Sequence, residues 1–292
     1  MTHREHPRSP RTVVVTGASS GIGRVAAKVL AQQGWHVIAV GRDPERTTAA
    51  EAGIRATATG PVHMLRGDLS LMADAERLAD EIAALTGHVD VLLNNAGGIT
   101  DRLQMTPEGL EANFAGNHLG PFLLTNRLLP LLKAAAASAP AGAVRIIQTS
   151  SEAHEMIPAF DLDDMQSLKT FDPGLAYCAG KLANVLFTRA LAARLANTGI
   201  VAHAMTPGPT ASRFFLTASK QTQEYTKDLP KVTEEQGADT LIWLATSDEA
   251  GRTNGVYWKE RQPRAHHALA DDQAVLEKFW TESEKLVRSA SR

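Results

Sequence analysis

Thr12-Val13-Val14-Val15-Thr16-Gly17-Ala18-Ser19-Ser20-Gly21-Ile22-Gly23 is the stretch from which the fold of this chain can be read. A β-branched run leads into a cluster of glycines, and from Ile22 to about Gln33 alanine and leucine recur at helical spacing. Strand, turn and helix in that order make a cradle for a phosphate. Gly17 permits the tight turn, Gly21 lets the backbone approach a pyrophosphate, and Gly23 lets helix and strand pack closely. Ser19, Ser20 and Ile22 stand between these glycines, where the helix offers free N–H groups and its positive dipole end. The spacing is G-x-x-x-G-x-G, not the more widespread G-x-G-x-x-G.

Outward from this stretch the chain alternates strands and helices. Further strands are expected at 36–40, 62–66, 89–93, 143–149, 200–205 and 255–258, with amphipathic helical segments between them. This alternation predicts a single α/β domain over residues 12–292. Its fold would be a Rossmann-type doubly wound parallel sheet of about seven strands with helices on both faces. Residues 1–11 are polar and basic, lack the apolar core of a signal peptide, and are expected to form a disordered tail.

Composition narrows the function. The 292 residues include 30 basic and 32 acidic ones, a formal charge of −2, so no strong field for nucleic acid or an anionic membrane is expected. The lone cysteine, Cys178, rules out an internal disulfide and suits a reducing compartment. No apolar run reaches transmembrane length and no motif suggests a metal, so a soluble, cytoplasmic protein is expected.

Tyr177-Cys178-Ala179-Gly180-Lys181 places a phenol and an ammonium four positions apart in a segment of helical periodicity. Both side chains therefore leave one face of a helix, about one turn apart. A neighbouring cation favours the phenolate and would bring the Tyr177 pKa down toward working pH, making it a general acid or base. Past the second strand, Gly41 stands where a carboxylate would meet an adenosine ribose 2′-OH, and Arg42 follows it. An arginine there pairs with a 2′-phosphate, which favours NADP(H) over NAD(H). Asp43 either reaches the ribose or caps the next helix, and Ser20 occupies the place where a second basic residue would stand.

The glycine turn, Asn94-Asn95-Ala96-Gly97, Asn117-His118-Leu119-Gly120, Ser150-Ser151, Tyr177 to Lys181 and Pro207-Gly208 occur in one order over roughly residues 12–258. In this the chain resembles the short-chain dehydrogenase/reductase family, and its retinol dehydrogenase-like branch in particular. The resemblance implies a catalytic tetrad of Asn117, Ser151, Tyr177 and Lys181. Tyr177 would exchange a proton with the substrate oxygen, and Ser151 would orient that oxygen. Lys181 would also hold the nicotinamide ribose, and the main-chain carbonyl of Asn117 would hold a water leading to solvent. It further implies that Asp68 and Leu69 lie beside the adenine, although Asp68 would equally serve as a helix cap. Asn95, Ala96 and Gly97 would support the central strands and edge the ribose site. Pro207, Gly208 and either Thr210 or Ser212 would grip the carboxamide and phosphates.

Residues at about 209–232 correspond to a substrate lid. The 26 positions from Ser151 to Tyr177 match the extra loop of that branch, whose apolar residues either line a pocket or fold back on the surface. Relatives pair through the helices bearing Asn117 and Tyr177, so a homodimer or homotetramer is expected. The implied activity is NADP(H)-dependent hydride transfer to or from the carbonyl or alcohol of a medium-sized lipophilic substrate. Two alternatives share these motifs: an epimerase or eliminase without net redox turnover, and a non-catalytic dinucleotide sensor.

Overall fold

Val13, Val14 and Val15, stiff at χ1 and fully buried, form the middle of β1 (Thr12–Thr16), near the centre of an eight-stranded sheet. The computed structural model describes residues 10–290, so most of the tail expected at residues 1–11 lies outside the described residues. Arg11 itself is anchored: its guanidinium donates to the Ala143 carbonyl at 2.8 Å and lies 4.2 Å from the Trp35 ring centre.

β1 is followed by α1 (Gly21–Gln32), β2 (His36–Gly41), α2 (Pro44–Arg55), β3 (Val62–Arg66), α3 (Met72–Leu85) and β4 (Val91–Asn94). A short α4 (Ala112–Phe114) passes through one π-turn (Ala115–Leu119) into α5 (Gly120–Ala136), and then come β5 (Val144–Thr149), α6 (Pro173–Arg194) and β6 (Ile200–Thr206). The chain ends in α7 (Lys220–Lys227), α8 (Glu234–Thr246), β7 (Val256–Lys259), β8 (Gln262–Arg264) and α9 (Gln273–Ala290). Strand order is β3-β2-β1-β4-β5-β6-β7-β8, parallel throughout except for the β7–β8 hairpin. The order turns at β1 and β4, where an open parallel sheet forms its ligand crevice.

Alternation along β1 sorts the two layers. Val13 and Val15 pack with Leu30 of α1 and Leu241 of α8 on one face, and Val14 packs with α3, α5 and α6 on the other. The eighth strand adds to the expected seven. All three residues of β8 are exposed, so no hydrophobic pattern marks it in the sequence.

The helix that carries Asn117 begins at Ala112 and is interrupted at Asn117 by the π-turn. The Glu111 carboxylate caps α4 by accepting from Asn113 N and Phe114 N. Gly120 is small for a packing reason, since a Cβ there would collide with the Leu69 carbonyl. Across α6 lies α9, whose Phe279 and Trp280 meet His118, Phe122 and Phe187. From Cys178 to Thr188 every residue of α6 is buried, and α9 covers part of the helix.

Candidate active site

A crevice of about 1530 Å³ opens at the C-terminal ends of the parallel strands. Every site residue expected from the sequence lines it except Gly23, which lies just behind. Asn95 organises its floor. Its amide donates to the Thr16 carbonyl at 3.0 Å, its backbone N–H and that of Ala96 both reach Thr16 Oγ1 at 3.0 Å, and its side-chain oxygen accepts from Thr149 Oγ1 at 3.3 Å. The ends of β1, β4 and β5 are thus tied to one side chain. Gly17 has φ +69° and abuts Ala96, while a Cβ at Gly23 would strike Asn95 Nδ2 and the Gly17 carbonyl. Gly23 therefore makes room both for the asparagine and for close packing of the helix on the end of β1.

The phosphate cradle has the expected form. Ser20 precedes α1 without capping it, which leaves the first N–H groups of the helix free. A Cβ at Gly21 would meet nothing within 4 Å, so that backbone faces open space. On the far side, Thr210 Oγ1 donates to the Gly208 carbonyl at 3.2 Å, and Thr210 and Ile22 both lie against Gly237. The turn Pro207-Gly208 and both candidate hydroxyl residues, Thr210 and Ser212, border the same space. The residues present fit a dinucleotide with its pyrophosphate on α1.

At the adenosine end, Arg42 is well exposed and 3.4 Å from Asp68 Oδ2. So exposed a pair holds its partners weakly and leaves Arg42 able to turn toward a phosphate. Asp43 caps α2, accepting from Arg46 N at 2.9 Å. Asp68 Oδ1 accepts from Ser70 N and Oγ at 3.0 and 2.8 Å, a local turn that leaves the acid on the crevice wall. Arg46, which the sequence reading missed, also lines the crevice. The signal was available, because side chains in the first turn of a helix lean back toward its N-terminus. A Cβ at Gly41 would meet Thr47 Oγ1 and Ser19 Cβ, so no side chain fits at the ribose position.

Asn117 and Lys181 meet beside Gly97. A Cβ there would stand 2.7 Å from Asn117 Oδ1 and 3.2 Å from Lys181 Nζ. Asn117 donates to the carbonyls of Gly98 (2.9 Å) and Asn113 (2.8 Å), which fixes the π-turn. Lys181 Nζ donates to the Thr149 carbonyl at 3.0 Å and lies 5.6 Å from the Tyr177 ring centre. Ser150 donates from Oγ to the Lys181 carbonyl at 2.8 Å.

The electrostatics correct one expectation. Burial pushes the Tyr177 phenol up from its ordinary value, with a hydrogen bond from Ser151 opposing, and pushes Lys181 down to about 8. A low-dielectric surrounding disfavours phenolate and ammonium alike, so the direction for Tyr177 is opposite to the expected lowering. Tyr177 rests as a proton donor.

Beyond Tyr177 the walls mix aromatic and aliphatic side chains with polar ones. Its ring lies 5.6 Å from that of Phe214, which in turn meets Phe215 at 5.2 Å. Leu216 and Tyr225 are 63% and 62% exposed at the rim, too much for lid residues packed only against protein. The loop after Ser151 divides: Met156 borders the crevice, whereas Ile157 is buried and Phe160 faces Phe279.

The sequence profile described as short chain dehydrogenase matches residues 11–223. The chain belongs to the short-chain dehydrogenase family. This short-chain dehydrogenase is 35% identical over 286 residues to retinol dehydrogenase 13 of Homo sapiens, covering 95% of the chain and 84% of the relative. Its structure is similar to that of an uncharacterised protein from Mycobacterium paratuberculosis, with TM-score 0.75 and 32% identity over 95% of this chain and 93% of the other. A Pseudomonas aeruginosa protein solved as the RhlG/NADP active-site complex is similar at TM-score 0.68 and 27% identity, covering 86% and 96%. Membership makes this short-chain dehydrogenase an oxidoreductase of the nicotinamide-dinucleotide class. No helix among the described residues is long and apolar enough to cross a membrane.

Proposed function

We propose that the chain is an NADP(H)-dependent carbonyl reductase or alcohol dehydrogenase acting on a medium-sized lipophilic substrate. The observation that carries this reading is that Asn117, Ser151, Tyr177 and Lys181 line one crevice whose walls beyond Tyr177 include aromatic and aliphatic side chains. Gly17, Ser19, Ser20, Gly21 and Ile22 would hold the pyrophosphate, Asp68 and Leu69 the adenine, and Asn95, Ala96, Gly97 and Lys181 the nicotinamide ribose. Pro207, Gly208 and Thr210 would fix the carboxamide side. Arg42 and Arg46 flank the position of a 2′-phosphate, and Gly41 leaves no space for the carboxylate that an NAD-specific site places there.

When bound, the nicotinamide supplies or accepts the hydride. Tyr177 gives its phenolic proton to the carbonyl oxygen in reduction and recovers it in oxidation. Ser151 donates a hydrogen bond to the same oxygen and stabilises its developing charge. Lys181 places positive charge beneath that oxygen, and Asn117 keeps the π-turn open toward solvent for proton return.

The test is NADPH and NADH oxidation by the purified protein against aromatic, terpenoid and steroid ketones and aldehydes. Tyr177→Phe and Arg42→Ala/Arg46→Ala serve as controls. The expected result is carbonyl-dependent NADPH oxidation that Tyr177→Phe abolishes and that the arginine pair weakens for NADPH but not for NADH. A preference for NADH would overturn the cofactor assignment. Tight NADPH binding with no turnover on any carbonyl would favour the sensor, and substrate conversion without NADPH consumption the epimerase.

A further inference from the structure

Ser151 leaves β5 in an extended conformation, φ −159° and ψ 154°. Its hydroxyl accepts from Ala153 N at 3.2 Å. Its carbonyl oxygen is held twice by one residue, from His154 N at 3.1 Å and from His154 Nδ1 at 2.7 Å. A carbonyl has no proton to give, so Nδ1 is the donor and the neutral ring carries its proton there. His154 is fully buried, does not line the crevice, and has no protein partner at Nε2. Its ring stands edge-on to Tyr257 of β7, with ring centres 4.7 Å apart. The imidazole therefore fills the space between the serine turn and the sheet, with its one polar contact aimed at the serine.

We propose that His154 is a positioning residue for Ser151: its Nδ1–H fixes the serine carbonyl and so aims the hydroxyl at the substrate oxygen. This rests on the reading of Ser151 given above. A ring serving only as packing would have no use for a donor at that atom, and a buried polar ring is a poor filler beside leucine or phenylalanine. Because the ring stands outside the crevice, it acts through Ser151 and not on the substrate.

Three substitutions separate the roles. His154→Asn keeps an N–H close to the Nδ1 position, His154→Gln displaces it by one bond, and His154→Leu removes it. His154→Asn is expected to retain kcat within about threefold, while the Gln and Leu variants lose about ten- to a hundredfold through misplacement of the serine. KM for NADPH and the NADPH-binding affinity stay unchanged in all three. In the Ser151→Ala background, His154→Leu is expected to slow the residual rate by no more than about twofold, since residues acting as a unit are not additive. A readout independent of turnover is the tautomer, with ¹⁵N-histidine NMR of the parent protein showing a buried ring protonated at Nδ1.

An Asn variant as slow as the Leu variant, full multiplicative loss in the double variant, or an Nε2-protonated ring would each overturn the proposal. Should His154→Leu fail to fold, the Asn-against-Gln comparison and the tautomer decide it. Parent-like turnover in Ser151→Ala would instead overturn the reading of Ser151, a failure that the Ser151 single variant identifies by itself.

Discussion

Tyr177 and Lys181 show how far residue spacing carries and where it stops. Their four-residue interval put both on one helix face, but it could not say that burial would dominate both ionisations. The consequence is directional. Because Tyr177 stays protonated, ketone reduction is expected to remain level from about pH 6 to about pH 8, whereas alcohol oxidation, which needs the phenolate, rises over that window. Initial rates in both directions check this, and a reduction rate that climbs with pH would contradict it. Lys181 has a stability signature of opposite sense to a salt-bridged lysine. Its folded pKa of about 8 lies below the ~10.4 of an unfolded lysine, so between those values the unfolded chain binds more protons. The penalty for burying the ammonium is complete below about pH 8 and fades toward about pH 10, so this residue's contribution makes stability rise with pH there. Urea unfolding of the parent against Lys181→Met should show the slope in the parent and a shallower one in the variant. Arg46 escaped the sequence reading because its place depends on the direction in which a first-turn side chain leans, not on a motif.

Elements were legible where a periodic apolar pattern or a glycine turn marked them, as in β1, α1 and α6. Legibility failed where identity is set by something distant. An asparagine and a glycine inside a helical segment mark a local break at Asn117, but the carbonyls of Gly98 and Asn113 that hold the π-turn are brought there by the fold. Nothing local in α9 announces that Ser283 Oγ is the partner of buried His118 Nε2, 2.8 Å away and one residue past Asn117. Ser283→Ala is expected to lower unfolding stability by about 1–3 kcal/mol, because His118 Nε2 loses its partner without gaining water. Denaturant melts measure this, and a change near zero would mean that the aromatic contacts alone hold α9. Gly97→Ala tests the active-site element more sharply. With Asn117 Oδ1 and Lys181 Nζ both within 3.2 Å of the new methyl, activity should fall while the melt changes little.

For the whole molecule, the doubly wound topology followed from alternating patterns, and the crevice from the point where strand order turns. Association was not legible, since it depends on which surfaces remain after the last helix docks. With Phe279 and Trp280 of α9 packed on His118 and Phe122, α9 takes up part of the surface beside α5 and α6. Sedimentation is therefore expected to give the single-chain mass of 31.3 kDa, and a dimer would show that another surface serves. A last feature is the bridge at the base of the lid, where Ala211 N reaches the Val232 carbonyl at 2.8 Å and Val232 N the Pro209 carbonyl at 2.9 Å. The two ends of the intervening segment are stapled together, so its length and composition are decoupled from the sheet, and lengthening such a loop costs only about 0.6 kcal/mol per doubling. That makes residues 211–231 an exchangeable cassette. Its residues can change in number and kind without disturbing the side chains gathered at the strand ends.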